Sequence, residues 1–167
     1  GRIARIRNYQ DLTRLEREQV DRRNTLVLIP LGALEQHGNQ APLGTDDIIA
    51  SAMVSYLKEE LTAVCPDFPM LVFPVIPVGL STEHKNFCGS VTFRPETYYH
   101  LLYDICEHLA RHGFKKLVFL ICHGGNAHLV PLLSREVSSD LRLHPFHPSS
   151  GALAPPALNA PRTPDPP

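Results

Sequence analysis

Two short runs of the chain carry apolar residues almost without interruption. Asn24–Leu31 (NTLVLIPL) and Lys116–Ile121 (KLVFLI) are rich in leucine and β-branched residues, and each predicts a strand buried on both faces of a sheet. Between them the spacing changes. Ile48, Ile49, Ala52, Met53, Tyr56 and Leu57 recur at three and four positions, which predicts a helix from Asp46 to about Val64 with Thr45 as its cap. Met70–Val78 (MLVFPVIPV) reads as a further strand, made irregular at its far end by Pro74 and Pro77. Ser90–Phe93 is a short strand candidate. Tyr98, Leu101, Leu102, Ile105 and Leu109 place a helix over Glu96–His112, stopped by Gly113, and Asn126–Val137 reads as the next helix. Strands alternating with helices predict an α/β domain, its mostly parallel sheet covered by helices on both faces.

After Leu143 the pattern fades. Half of the 16 prolines fall from Pro145 onward, among almost no large apolar residues. Proline removes backbone donors and bars helix, so residues 1–143 are expected to form the domain and 144–167 a disordered proline-rich tail. A chain of 167 residues is one domain's worth and can bury a real core. The formal net charge of -1, with no basic stripe, implies no nucleic-acid partner and no attraction to an anionic membrane. The longest apolar run, Thr25–Ala33, is too short to span a bilayer. Cys65, Cys88, Cys106 and Cys122 lie far apart with no C-x-x-C pair, which argues against a zinc ribbon or disulfide framework and suits a reducing cytoplasm.

Three of the predicted strands run into unusual polar text: Glu35-Gln36-His37-Gly38, Ser81-Thr82-Glu83-His84 and His123-Gly124-Gly125-Asn126. Ligands of open parallel sheets bind beyond the carboxyl ends of the strands, where the loops converge, so a site is expected at this edge. Glu35 and His37 are two apart and project to one side of an extended segment, as a carboxylate and an imidazole suited to zinc or manganese. Asp46 stands at a predicted helix start, where backbone amides favour an anion, and joins them as a third candidate ligand; neighbouring Asp47 reads as a helix-start residue only. His123 follows directly on a strand, and two glycines let the backbone turn tightly beside it. A phosphate cradle at that turn is the weaker reading, since no Walker lysine or G-x-G-x-x-G accompanies it. His100, His108, His112 and His128 lie on predicted helices and receive no catalytic role.

Taken together, PLGALEQHGNQAPLGTDDIIA (residues 30–50), GLSTEHKNFCGSVTF (79–93) and LICHGGN (120–126) resemble, in order and spacing, three motifs of the creatininase (creatinine amidohydrolase) family. The likeness runs from roughly Arg5 to Asp140. It implies a three-layer α/β/α sandwich, often assembled as homo-oligomers, hexamers in particular. It maps Glu35, His37, Asp46 and His123 onto metal ligands, with Asp46 as the bridging carboxylate of a two-metal site, and Glu83 and His84 onto catalytic positions in the active-site wall. The implied cofactor is one or two divalent ions, zinc or manganese with iron as a further option. The implied reaction is hydrolysis of a C–N amide bond in a small-molecule substrate (a cyclic amide, a formamide or a peptide) by a water whose pKa the metal lowers to about 7.

The chain also departs from the family pattern. Gln40 stands where many relatives have histidine, Ile121-Cys122 replaces Asn-Gly, and Cys88 replaces a common proline. Gly125 occupies the position of a carboxylate ligand in creatininase itself. Relatives with the double glycine draw further His and Glu groups from a C-terminal segment that has no match in this sequence, so the chain is expected to be catalytically incomplete, with one sheet edge left unpaired. Two other classes stay open: a non-catalytic metal-binding or oligomer-forming relative, and an α/β module that binds a small anion.

Overall fold

The two strands with the plainest apolar signature pair with each other at the centre of the sheet. A computed structural model describes residues 6–148, and in it β2 (Leu26–Leu31) runs parallel to β4 (Lys116–Ile121) over six residues, from Leu26 opposite Lys116 to Leu31 opposite Ile121. β3 (Met70–Val72) pairs on the other side of β2, and β1 (Ile6–Asn8) and β5 (His144–Phe146) form the edges. The order is β1-β3-β2-β4-β5, all parallel. Four helices accompany the strands among the described residues: α1 (Arg14–Glu18), α2 (Thr45–Val64), α3 (Pro95–Arg111) and α4 (Val130–Leu141).

Connectivity fixes the layers. β3 lies to one side of β2 and β4 to the other, so right-handed crossovers place α2 and α3 on opposite faces of the sheet. Alternate side chains of the central strands feed two separate cores. Val27, Ile29, Leu31, Leu117, Phe119 and Ile121 pack with Tyr98, Leu102 and Leu109 of α3 and with Leu133 and Val137 of α4. Leu28, Leu120 and Cys122 pack on the opposite face with Ala50, Met53 and Val54 of α2. The expected three-layer α/β/α sandwich with a parallel sheet is therefore what forms. No helix among the described residues is long and apolar enough to cross a membrane.

Several local expectations differ. The strand anticipated over Met70–Val78 pairs regularly only to Val72, because Pro74 and Pro77 have no N–H to give the ladder. Pro30 in β2 lacks its donor on the same side, since its carbonyl faces that segment and accepts from Ile76 at 3.0 Å. Ser90–Phe93 contributes one antiparallel bridge, Leu34 to Val91, and no strand. Gly44, not Thr45, is the cap of α2, and the Thr45 hydroxyl donates to the Pro42 carbonyl instead. The helix expected from Asn126 opens as a 3-10 turn over Gly124–His128 before α4 begins at Val130. α1 was not anticipated, although its capping box was legible as Thr13-x-x-Glu16: the Thr13 hydroxyl accepts from the Glu16 N–H, and the Glu16 carboxylate from the Thr13 N–H. The strand β5 lies just past the expected boundary at Leu143, within text that read as tail; residues 149–167 of that tail lie outside the described residues.

One difference bears on the site. The buried stripe of α2 is Asp46, Ala50, Met53 and Val54, whereas Ile48 and Ile49 are 60% and 40% exposed. Those buried positions follow the helical spacing of four, seven and eight, so a carboxylate takes the first place in an otherwise apolar stripe. The helix is thus rotated from the face its isoleucines suggest, and its first turn looks toward the carboxyl ends of β2 and β4.

Phe119 is fully buried at the sheet centre and Val64 is 82% exposed at the end of α2. Phe119→Ala is expected to lower unfolding free energy by about 3–5 kcal/mol, and Val64→Ala by less than about 0.5 kcal/mol, as read by urea denaturation. Equal effects would contradict this placement of the core.

Candidate metal centre

Between β2 and β4 the chain leaves the sheet toward opposite faces, into α2 after one strand and α4 after the other. Such a switch point opens a crevice at the strands' carboxyl ends. The loop after β2 folds back on itself: Gly38, at φ 81°, turns the chain, His37 bridges Ala41, and the Glu35 N–H donates to the Leu43 carbonyl at 3.2 Å. That return brings the start of α2, and with it Asp46, beside Glu35 and His37. His123 arrives from the end of β4.

All four candidate ligands meet there. His37 Nε2 lies 3.4 Å from both Glu35 Oε1 and Asp46 Oδ2. His123 Nδ1 lies 3.3 Å from Glu35 Oε1 and 3.0 Å from Asp46 Oδ2. Glu35, Asp46 and His123 are buried and His37 is partly open to solvent. Yet Glu35 Oε2, His37 Nε2 and Asp46 Oδ2 are buried without hydrogen-bond partners; the ring nitrogens are near the carboxylates but not aligned to donate. Buried polar atoms are rarely left in that state.

His123 shows what the arrangement lacks. Its Nε2 lies 2.7 Å from the Leu80 carbonyl oxygen, which can only accept, so Nε2 carries a proton. In the neutral ring Nδ1 then presents a lone pair to two carboxylate oxygens, a juxtaposition that needs a positive charge between them. The electrostatics agree. Burial alone would raise the Asp46 carboxyl, but His123 and His37 outweigh it and hold Asp46 below the ordinary value. Burial opposes a charged His123, but Asp46, the Leu80 carbonyl and Glu35 outweigh it and raise the ring's pKa. Two carboxylates and two neutral imidazoles sum to the charge that one divalent cation cancels. The oxygen and nitrogen donors of Glu35, His37 and Asp46 lie within 4.8 Å of one another, and this set fits a divalent metal ion.

A second tier of contacts holds these groups in place, and sequence reasoning missed its main member. Asn126, read only as the end of a glycine turn, is fully buried. Its Oδ1 accepts from the Leu80 N–H and its Nδ2 donates to the Gly32 carbonyl, each at 2.9 Å. It therefore ties the end of β2 to the segment whose carbonyl orients His123. Close approach requires the nearby glycines. A Cβ at Gly79 would overlap Asn126 Oδ1, and one at Gly125 would overlap the Leu80 carbonyl oxygen and stand 2.6 Å from His123 Nε2. The available signal was Gly79 ahead of Leu80 together with Gly125-Asn126. Asp47 lies in the first turn of α2, and burial raises its carboxyl to about 6, with the Ala33 N–H opposing the effect and the Asp46 charge adding to it.

Glu83 and His84 stand apart from this cluster. They form a 3-10 turn over Thr82–His84, and no hydrogen bond or ion pair among the described residues joins them to the four ligand candidates. His84 stacks at a tilt on Phe87 and leaves its buried Nδ1 without a partner. Glu83 is exposed on the edge of a neighbouring pocket. Cys122 points into the α2-side core, where burial pushes its thiol up to about 12, as suits a packed residue rather than a thiolate ligand.

Gly125→Ala is expected to break the His123–Leu80 bond and lower affinity for a divalent metal by about 10–100-fold, and Asn126→Leu to do likewise. Both are read by calorimetric metal titration, with circular dichroism as the check on folding. Unchanged affinity in two folded variants would show that this tier does not position the site.

Known proteins place this geometry in context. The family described as creatinine amidohydrolase (Creatininase) matches residues 10–161. The chain is 37% identical over 116 residues to a mycofactocin precursor peptide peptidase of Mycobacterium tuberculosis (strain ATCC 25618 / H37Rv), across 66% of this chain and 44% of that protein. It is 29% identical over 107 residues to a creatinine amidohydrolase of Pseudomonas putida, across 61% of this chain and 38% of that protein. The chain thus spans less than half the length of these curated relatives. A crystal structure of creatinine amidohydrolase (creatininase) superposes with a TM-score of 0.78 at 22% identity, covering 99% of this chain and 65% of that one. The Mn form of creatininase gives 0.71 at 23% identity, covering 88% and 58%. With the family match spanning nearly the whole sequence, this chain belongs to the creatininase family.

Proposed function

We propose that this chain is a metal-dependent amidohydrolase, holding a divalent ion with Glu35, His37, Asp46 and His123 and cleaving a C–N amide bond with water. What carries this function is the convergence of buried, unpartnered acceptors from the ends of β2 and β4 and the start of α2. When bound, such an ion supplies Lewis-acid polarisation of a carbonyl and a nucleophilic water near neutral pH. The chain's own residues do the rest. Glu35 and Asp46 provide the negative charge, the Leu80 carbonyl sets the His123 tautomer, and Asn126 fixes the distance between the two loops. By the family likeness Glu83 and His84 are the candidates for contacting substrate, and the buried Nδ1 of His84 has no partner of its own.

Zinc and manganese are the favoured ions, in keeping with the donor set and with creatininase structures described as Mn and Zn-Zn types. For the substrate, a peptide-type amide is favoured over creatinine. Identity is higher to the peptide peptidases than to the creatinine amidohydrolase. In addition, the crowding at Gly125 leaves no room for a carboxylate ligand at that position.

Purified protein, stripped with chelator and reloaded, is expected to retain zinc or manganese stoichiometrically by inductively coupled plasma mass spectrometry, and Asp46→Ala to lose it. Peptide amides are then assayed for release of free amine. Metal retention without turnover of any amide would favour a non-catalytic metal-binding relative. Absence of metal in the unmutated protein would sink the hydrolase function for this chain.

A further inference from the structure

The carboxylate of Asp47 reaches back from α2 to the end of β2. An acidic side chain in the first turn of a helix ordinarily serves the free amides of that helix. The amide that favours the Asp47 charge is instead that of Ala33, on the other element. Its Oδ1 lies against the backbone of Gly32: a Cβ there would overlap Oδ1 and stand 3.0 Å from the carboxylate carbon. That oxygen is buried and has no hydrogen-bond partner among the described residues, so packing against the glycine holds it. Gly32 is fixed in turn on both sides. Its N–H donates to the Ile76 carbonyl and its carbonyl accepts from Asn126 Nδ2, each at 2.9 Å.

We propose that Asp47 is a positioning residue for the metal centre, its carboxylate clamping the first turn of α2 onto Gly32–Ala33 and so setting the spacing of Glu35 and Asp46. This deepens, and rests on, the proposed metal-dependent function. Two ties then join the end of β2 to the start of α2. One is the bond from the Glu35 N–H to the Leu43 carbonyl, at 3.2 Å. The other is Asp47 on Gly32–Ala33. The two acidic ligand candidates sit at these ties: Glu35 forms the first, and Asp46 immediately precedes the residue that forms the second. Without the second tie, the turn carrying Asp46 loses its hold on the strand end beside that ligand. Gly32 is what makes the clamp possible, since any side chain at that position takes the space of Oδ1.

The chelator-stripped full chain is titrated calorimetrically with Mn²⁺, with circular dichroism as the check on folding. Asp47→Ala is expected to lower the affinity by about 10–100-fold. Asp47→Asn, which keeps an oxygen for the Ala33 N–H, is expected to restore most of it, whereas a purely electrostatic effect of the lost charge would weaken both alike. Gly32→Ala, which displaces Oδ1, is expected to weaken binding in the unmutated background and to add little once Asp47 is replaced by alanine. The midpoint of urea unfolding without metal is measured on the same proteins, and Gly32→Ala is expected to lower it less in the Asp47→Ala background. Unchanged affinity in folded Asp47→Ala overturns the positioning role, as does an Asn variant no better than the Ala one. Absence of metal binding in the unmutated chain refutes the metal-dependent function instead. The clamp is then decided by the urea midpoints: coupled shifts leave it standing and additive shifts overturn it.

Discussion

Parallel pairing of β2 with β4 is the constraint on which the rest of the molecule hangs. Because the strands run the same way, their carboxyl ends finish side by side, Leu31 opposite Ile121, and the polar text that follows each must occupy the same small volume. Because the next elements lie on opposite faces, the two loops diverge and leave a crevice between them rather than packing it shut. Both apolar cores lock this pair in place, with alternate residues of each strand gripped by α2 on one side and by α3 and α4 on the other. The site is thus built at the ends of the two most deeply buried strands.

Burying two carboxylates together is costly, and the local design is arranged around that cost. Glu35 and Asp46 face two imidazoles whose free nitrogens point back at them, so the cluster is incomplete without a cation. Stability spent there is offset around it. Asn126 satisfies backbone groups of two separate loops, and Leu80 uses both its N–H and its carbonyl within the same network. Glycines at 79 and 125 let these backbones approach to distances that a side chain would forbid. A rigid surround of this kind is what holds ligands in one geometry.

Family membership and chemical competence are distinct properties here. The matched region contains the four ligand candidates and the positioning Asn126, while the curated relatives are more than twice as long as the stretch they share with it. The Leu80 carbonyl, the Gly125 backbone and the Nε2 edge of His123 meet within a few atoms of one another. That close approach makes the glycine turn after β4 part of what orients His123.

The sequence by itself determined the parts whose signals are local. Unbroken apolar runs marked β2 and β4, the spacing of Tyr98, Leu102 and Leu109 marked α3, and Glu35, His37, Asp46 and His123 stood out as polar text at element ends. Short edge strands were not legible, because three residues such as Ile6–Asn8 or His144–Phe146 carry no period and become strands only by pairing with a neighbour. The rotation of α2 was hidden for a related reason. Its buried stripe opens with Asp46, and an apolar count passes over a carboxylate in favour of Ile48 and Ile49, which face outward. Asn126 and the Leu80 carbonyl depend on contacts across 43 to 94 positions of chain. Local pattern fixes which residues can act; only long-range packing decides which of them meet, because strand order and helix rotation are set by burial summed over the whole molecule rather than by any one segment.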